Sequence, residues 1–246
     1  MFLKIRPFIY SLVYFLGLEL IVFSHRHVLG ILFVLLLISV YQGKKTGGQW
    51  KFSVLPVFFT ISSAALLYLV GLIYEQQIFI VLASVMYYLA LFGAYRLNQY
   101  AGDQTARGMN MAATISTIFF TYAGAYGLYL NFFVPLWWLI LVYLVVTLLV
   151  SYQHFSLIKY DDKKIVWVYS FLLALSMSEL IWTMNFWPFG YLTTGVIALI
   201  LYYVLWDLIQ SHFLNLLSRR RVVANMIFFS VIIGLILLSS KWLPSV

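Results

Sequence analysis

Nine apolar runs alternate with short polar breaks along this chain. They fall near residues 7–24, 28–42, 52–73, 78–97, 109–130, 132–153, 165–184, 190–211 and 222–242. Each approaches the roughly 20 residues that an α-helix needs to cross a ~30 Å hydrocarbon core. The pattern predicts an all-α bundle of nine membrane spans within a single integral domain, 1–246, with no extramembrane domain. The first two runs are short and separated by Ser24-His25-Arg26-His27, which allows them to be tilted or partly re-entrant.

The basic residues fix an expected orientation. With the N-terminus inside, Lys4, Arg6, Lys44, Lys45, Lys51, Arg96, Arg107, Lys159, Lys163, Lys164, Arg219, Arg220 and Arg221 are cytoplasmic, which is 13 of the 15 Lys and Arg. Only Arg26 and Lys241 fall outside. One missed span would scramble this alternation, so the positive-inside rule predicts N-in, C-out; the expected location is a bacterial cytoplasmic membrane. All eight Trp lie near expected span ends, where amphipathic rings favour the headgroup level.

Composition closes off other classes. The chain is 64% hydrophobic and 9% charged, with mean hydropathy +0.99. A soluble domain is about half apolar and about a quarter charged, so this chain cannot cover a water-exposed surface. The net charge of +8 therefore reads as topology, and nucleic-acid binding has neither a basic domain nor a groove-filling element to support it. Cysteine is absent, which removes disulfides and thiolate chemistry. The start, with Lys4 and Arg6 before an apolar run, has the outline of a signal peptide. Bulky, basic Ser24-His25-Arg26-His27 offers no small-residue cleavage site, so retention as a first helix is expected.

Hairpin repetition is one reading of two coincidences. Tyr87-Tyr88 precedes Asn110-Met111 by the interval that separates Tyr202-Tyr203 from Asn225-Met226, and Arg96, His154 and His212 recur every 58 residues. Equal-length hairpins with basic inner ends produce the same coincidences without duplication.

Polar residues inside spans supply the candidate sites, since each costs about 2.5–3.5 kcal/mol on insertion scales when ionisable. Glu19 and Glu179 sit at similar depth, each roughly 6 Å outward of its span centre at 1.5 Å per residue. They read either as one site sharing a proton, with Trp182 and Asn185 beneath an aromatic roof, or as separate carboxyls bonded to neighbouring Ser, Tyr or Arg26. Arg96 and Asp207 share an inner level and suggest an interhelical ion pair. His154 and His212 lie near that level, but their spacing matches no metal motif. On the fifth run Asn110, Thr114, Thr117, Thr121 and Asn131 form one stripe with small residues, which reads as tight helix packing or as the lining of a cavity. Arg219, Arg220 and Arg221 would attract anionic lipid at about 1 kcal/mol per charge; topology alone also accounts for them.

No phosphate loop, dinucleotide fingerprint, nucleophile elbow or Asp pair of the kind that holds Mg²⁺ and diphosphates occurs, and no cofactor is implied. In its basic start Met1–Arg6, its short paired first spans and the stretch Ser178-Glu179-Leu180-Ile181-Trp182 leading to Trp187-Pro188-Phe189-Gly190, the chain resembles uncharacterised multipass membrane proteins of candidate-phyla bacteria. That resemblance carries no assigned function. The expected role is a non-enzymatic membrane subunit, with an unidentified membrane partner, or a small-solute carrier. The alternative is an intramembrane enzyme acting on a lipid-linked substrate near the outer leaflet through Glu19 and Glu179.

Overall fold

The computed structural model describes residues 5–24, 27–100, 102–132, 134–158 and 162–239, apart from the side chain of residue 221. Lys4, His25, Arg26, Lys159, Lys241 and Trp242 lie outside the described residues. Those described form nine α-helices and no strand. The helices are α1 (Ile5–Phe23), α2 (Val28–Gly47), α3 (Val54–Leu69), α4 (Ile73–Gln99), α5 (Gln104–Asn131), α6 (Leu136–Ile158), α7 (Lys163–Met184), α8 (Tyr191–Phe213) and α9 (Arg219–Ser239), with a single 3-10 turn, Trp50–Ser53, between α2 and α3. Eight of the nine are long and apolar enough to cross a membrane. The exception is α5, whose polar stripe dilutes an otherwise sufficient length of 28 residues.

Helix ends follow local chemistry. Instead of ending near residue 42, α2 runs on to Gly47, and its 20 residues make it a full-length helix. Gly43 and Gly47 explain the extension, because both press against the 3-10 turn. A Cβ on Gly43 would stand 2.6 Å from the Ser53 Cα, and one on Gly47 would stand 2.3 Å from the Phe52 Cβ. Gly48 then closes the helix with φ +69, a conformation that glycine adopts without penalty. Ser53 Oγ donates to the Val40 carbonyl at 3.0 Å and seals the turn against α2. At the start of α5, Asp103 does two jobs: one carboxylate oxygen accepts the Ala106 N–H at 3.1 Å, and the other pairs with Arg96 at 2.7 Å. Asp162 caps α7 by accepting from the Ile165 N–H at 3.2 Å.

The chain divides into two compact units, residues 1–121 and 122–246, with the division inside α5. In the first, α1 packs on α4 and α2 packs on α3 and α4. Its core is aromatic. Tyr14 stacks on Tyr87 at 4.1 Å between centroids and 8° between planes, flanked by Phe59 at 6.0 Å from each. In the second unit the α6–α7 hairpin is the most extensive helix pair, α8 packs on α7, and α9 lies against α8. There Tyr122 stacks on Tyr143 at 4.1 Å and 5°, and meets Tyr202 edge-on at 6.3 Å.

The two ends of α2 make a controlled test of this packing. Gly43→Ala forces a methyl into the Ser53 backbone, whereas Gly30→Ala meets nothing within 4 Å. Thermal unfolding in detergent should show Gly43→Ala destabilised by about 1–3 kcal/mol. Gly30→Ala should be neutral or stabilised by up to about 1 kcal/mol.

Candidate functional site

A hydroxyl or amide inside hydrocarbon has no water to turn to, so mid-helix polar groups must find one another. In the first unit Tyr87 Oη donates to Gln42 Oε1 at 2.7 Å and also meets Ser39 Oγ at 3.0 Å. Ser39 Oγ contacts Thr60 Oγ1 at 2.8 Å, and Thr60 donates to the Pro56 carbonyl at 2.8 Å. Tyr14 Oη pairs with Ser63 Oγ. Helices α1, α2, α3 and α4 are thereby joined through one buried seam. The second unit repeats the device. Tyr122 Oη pairs with Thr147 Oγ1 at 2.7 Å, Tyr143 Oη donates to the Tyr122 carbonyl at 3.0 Å, and Ser151 Oγ pairs with Tyr202 Oη at 3.0 Å. Thus Tyr87 and Tyr202, which mark the expected repeat, are both fully buried and both bonded to a serine.

The carboxylates differ from one another. Glu19, half-buried near the end of α1, accepts from Gln77 Nε2 at 3.1 Å. Glu179 is exposed on α7 and, among the described residues, has neither a hydrogen bond nor an ion pair. Trp182 lies one turn further on, half exposed, with its edge to Phe186 at 6.0 Å. Asn185 ends α7, its amide donating to the Ile181 carbonyl at 3.0 Å. Phe189, in the loop beyond, is buried.

Arg96 and Asp207 each find a partner within their own unit. Arg96 pairs with Asp103, and Asp207 Oδ2 accepts from Asn225 Nδ2 at 2.9 Å. His154 is buried with its ring 4.9 Å from that of Trp206, and His212 Nε2 lies 3.2 Å from Tyr169 Oη. Trp206 lies seven residues before the end of α8 at Phe213. It is buried, because His154 and Tyr203 pack around it.

On α5, Asn110, Thr114, Thr117 and Thr121 are buried, while Asn131 is exposed at the helix end. Thr117, Thr121 and Asn131 bond back to the carbonyls of Ala113, Thr117 and Gly127, each at 2.7 Å. Asn110 stands apart: among the described residues neither its amide nitrogen nor its amide oxygen has a partner. It sits where α4 approaches closely, since a Cβ on Gly93 would lie 3.2 Å from the Asn110 backbone nitrogen. Asn225 follows Asn110, and Asp207 follows Phe92, by the interval that relates Tyr202 to Tyr87.

Sequence reasoning passed over Tyr14, Ser39, Gln42, Thr60, Ser63, Gln77, Tyr122, Tyr143, Thr147 and Ser151. The signal was available in part, because a Tyr near mid-span, far from either interface, requires a buried acceptor.

These features define a multipass, all-helical membrane protein in contact with the lipid bilayer. The chain belongs to the family DUF5656, described as a protein of unknown function, whose model matches residues 37–239. No curated protein matches the chain. No solved structure matches it.

The buried seams predict an asymmetry. Tyr87→Phe strands the Gln42 oxygen, whereas Tyr202→Phe strands only a serine hydroxyl that can turn to its own helix. Chemical or thermal unfolding in detergent should show losses of about 1–3 kcal/mol for the first and about 0.5–1.5 kcal/mol for the second.

Proposed function

We propose that this protein is a non-enzymatic membrane-embedded subunit of the bacterial cytoplasmic membrane, inserted N-in, C-out. The carrying observation is that four of its buried tyrosines spend their hydroxyls on side chains of other helices. The Tyr14–Ser63, Tyr87–Gln42, Tyr122–Thr147 and Tyr202–Ser151 pairs hold helices together and leave those groups no chemistry to perform. In this orientation the basic run Arg219-Arg220-Arg221 falls on the cytoplasmic side of the sequence's alternation and attracts anionic lipid at about 1 kcal/mol per charge.

A carrier of small polar solutes is the second reading, and one observation favours it. The unpartnered amide of Asn110 on the buried stripe of α5 is the kind of group that a transported solute would satisfy. The enzyme reading needs both Glu19 and Glu179 free to exchange protons. It is disfavoured by the bond from Gln77 that already occupies Glu19.

The absence of native cysteine makes a direct test available. Asn110→Cys and Thr117→Cys should both resist a membrane-impermeant maleimide in intact membranes and react only after denaturation. Labelling of Asn110→Cys without denaturation, slowed by a competing small polar solute, would instead establish the carrier.

A further inference from the structure

The face of α7 that carries Glu179 is unusual for a helix in lipid. Its buried side is continuous through Val166, Ser170, Leu173, Ala174, Met177, Ser178, Ile181 and Met184. The opposite side exposes Val168, Leu172, Leu175, Glu179 and Trp182. Val168, Leu175 and Trp182 follow one another at seven-residue intervals, as do Leu172 and Glu179. That is the spacing of a helix–helix seam. A purely lipid-facing surface has no use for a carboxyl set into it, and intramembrane carboxyls almost always face a protein partner.

Depth and direction sharpen the point. Glu179 lies five residues before the end of α7 at Met184, or about 8 Å along the axis at 1.5 Å per residue. In a helix each Cα–Cβ bond tilts toward the N-terminus. The Glu179 side chain therefore sets out toward the middle of the membrane, away from the nearer interface. Escape to the headgroups runs against its own geometry. Glu19, at comparable depth on α1, has Gln77; Glu179 has no such partner within the described residues of its own chain.

We propose that this face of α7 is the contact between two copies of the chain, with Glu179 meeting its symmetry mate. A two-fold axis along the membrane normal brings the same residues together at the same depth. A protonated carboxyl is both donor and acceptor, so two Glu179 side chains satisfy one another with no further group. A foreign helix would need a donor placed at that one level, whereas a second copy supplies it automatically. Flanking Leu175 and Trp182 exclude lipid from the pair. The inference goes beyond the proposed function and holds for a subunit or a carrier alike, because it is read from association and not from activity.

Single cysteines at Leu175 and Trp182, with Leu37 on α2 as an exposed control, test it by disulfide trapping in native membranes. Leu175→Cys and Trp182→Cys should form covalent dimers and Leu37→Cys should not. Adding Glu179→Leu to the Leu175→Cys chain should weaken dimerisation by roughly three- to thirty-fold, the range for an interhelical hydrogen bond in lipid. Adding Glu179→Gln, which still donates and accepts, should largely preserve it. A seam that traps no better than Leu37→Cys would overturn the proposal, as would trapping indifferent to Glu179→Leu. A chain that runs as a monomer in nanodiscs while retaining its fold would also refute it and point to a foreign helix or to lipid on this face.

Discussion

The constraint on which the rest of this structure depends is the lack of water at mid-membrane. A hydroxyl or amide placed there needs a partner from the protein, and the buried tyrosines of this chain find theirs in serines, threonines and a glutamine across helix boundaries. Stacking strengthens the arrangement, since Tyr14 lies flat on Tyr87 and Tyr122 flat on Tyr143. Each ring fills volume between helices that share little other specific chemistry, and each hydroxyl fixes the register of the helix that carries it. Leucine alone would pack these helices without specifying one sliding position over another.

Glycine supplies the second kind of specificity. Gly43 and Gly47 let a short 3-10 turn lie directly against α2, and Gly195 brings α8 within 2.9 Å of the Ala123 Cα on α5, measured from an added Cβ. Where side chains are absent, backbones approach, and the hydroxyl bonds then lock what the close approach permits. A local charge cluster closes one end of the first unit's helices. Arg96, Asp103 and the first turn of α5 form one local cluster in which a single carboxylate satisfies a guanidinium and a helix terminus.

Much of the fold was legible because hydropathy and length are one-dimensional quantities: all nine helices lie where apolar runs predicted them, with shifts of a few residues at their ends. The extension of α2 escaped notice because Lys44 and Lys45 read as the end of an apolar run, while the reason to continue lay in Phe52 and Ser53. Candidate sites were less legible. Depth can be counted along a helix, so Glu19 and Glu179 were placed at comparable levels. The direction in which a residue faces depends on neighbours distant in sequence. Gln77 reaching Glu19, Asp103 reaching Arg96 and Asn225 reaching Asp207 are pairings that composition and spacing do not encode. Four of the five residues of the stripe on α5 are buried. Its threonines turned to their own backbone, a choice made within the helix and invisible in the pattern.

The shortfall of α5 in apolarity bears on how the chain is made. A segment with Asn110 and three threonines on its inner face gains less from entering lipid alone than its eight neighbours do, because each amide or hydroxyl arrives before the surface that will cover it. Retention of α5 in the bilayer is thus coupled to helices on both sides of it, α4 already inserted and α6 still being synthesised. The boundary between the two compact units runs through this same helix, so its first part packs in one unit and its last part in the other.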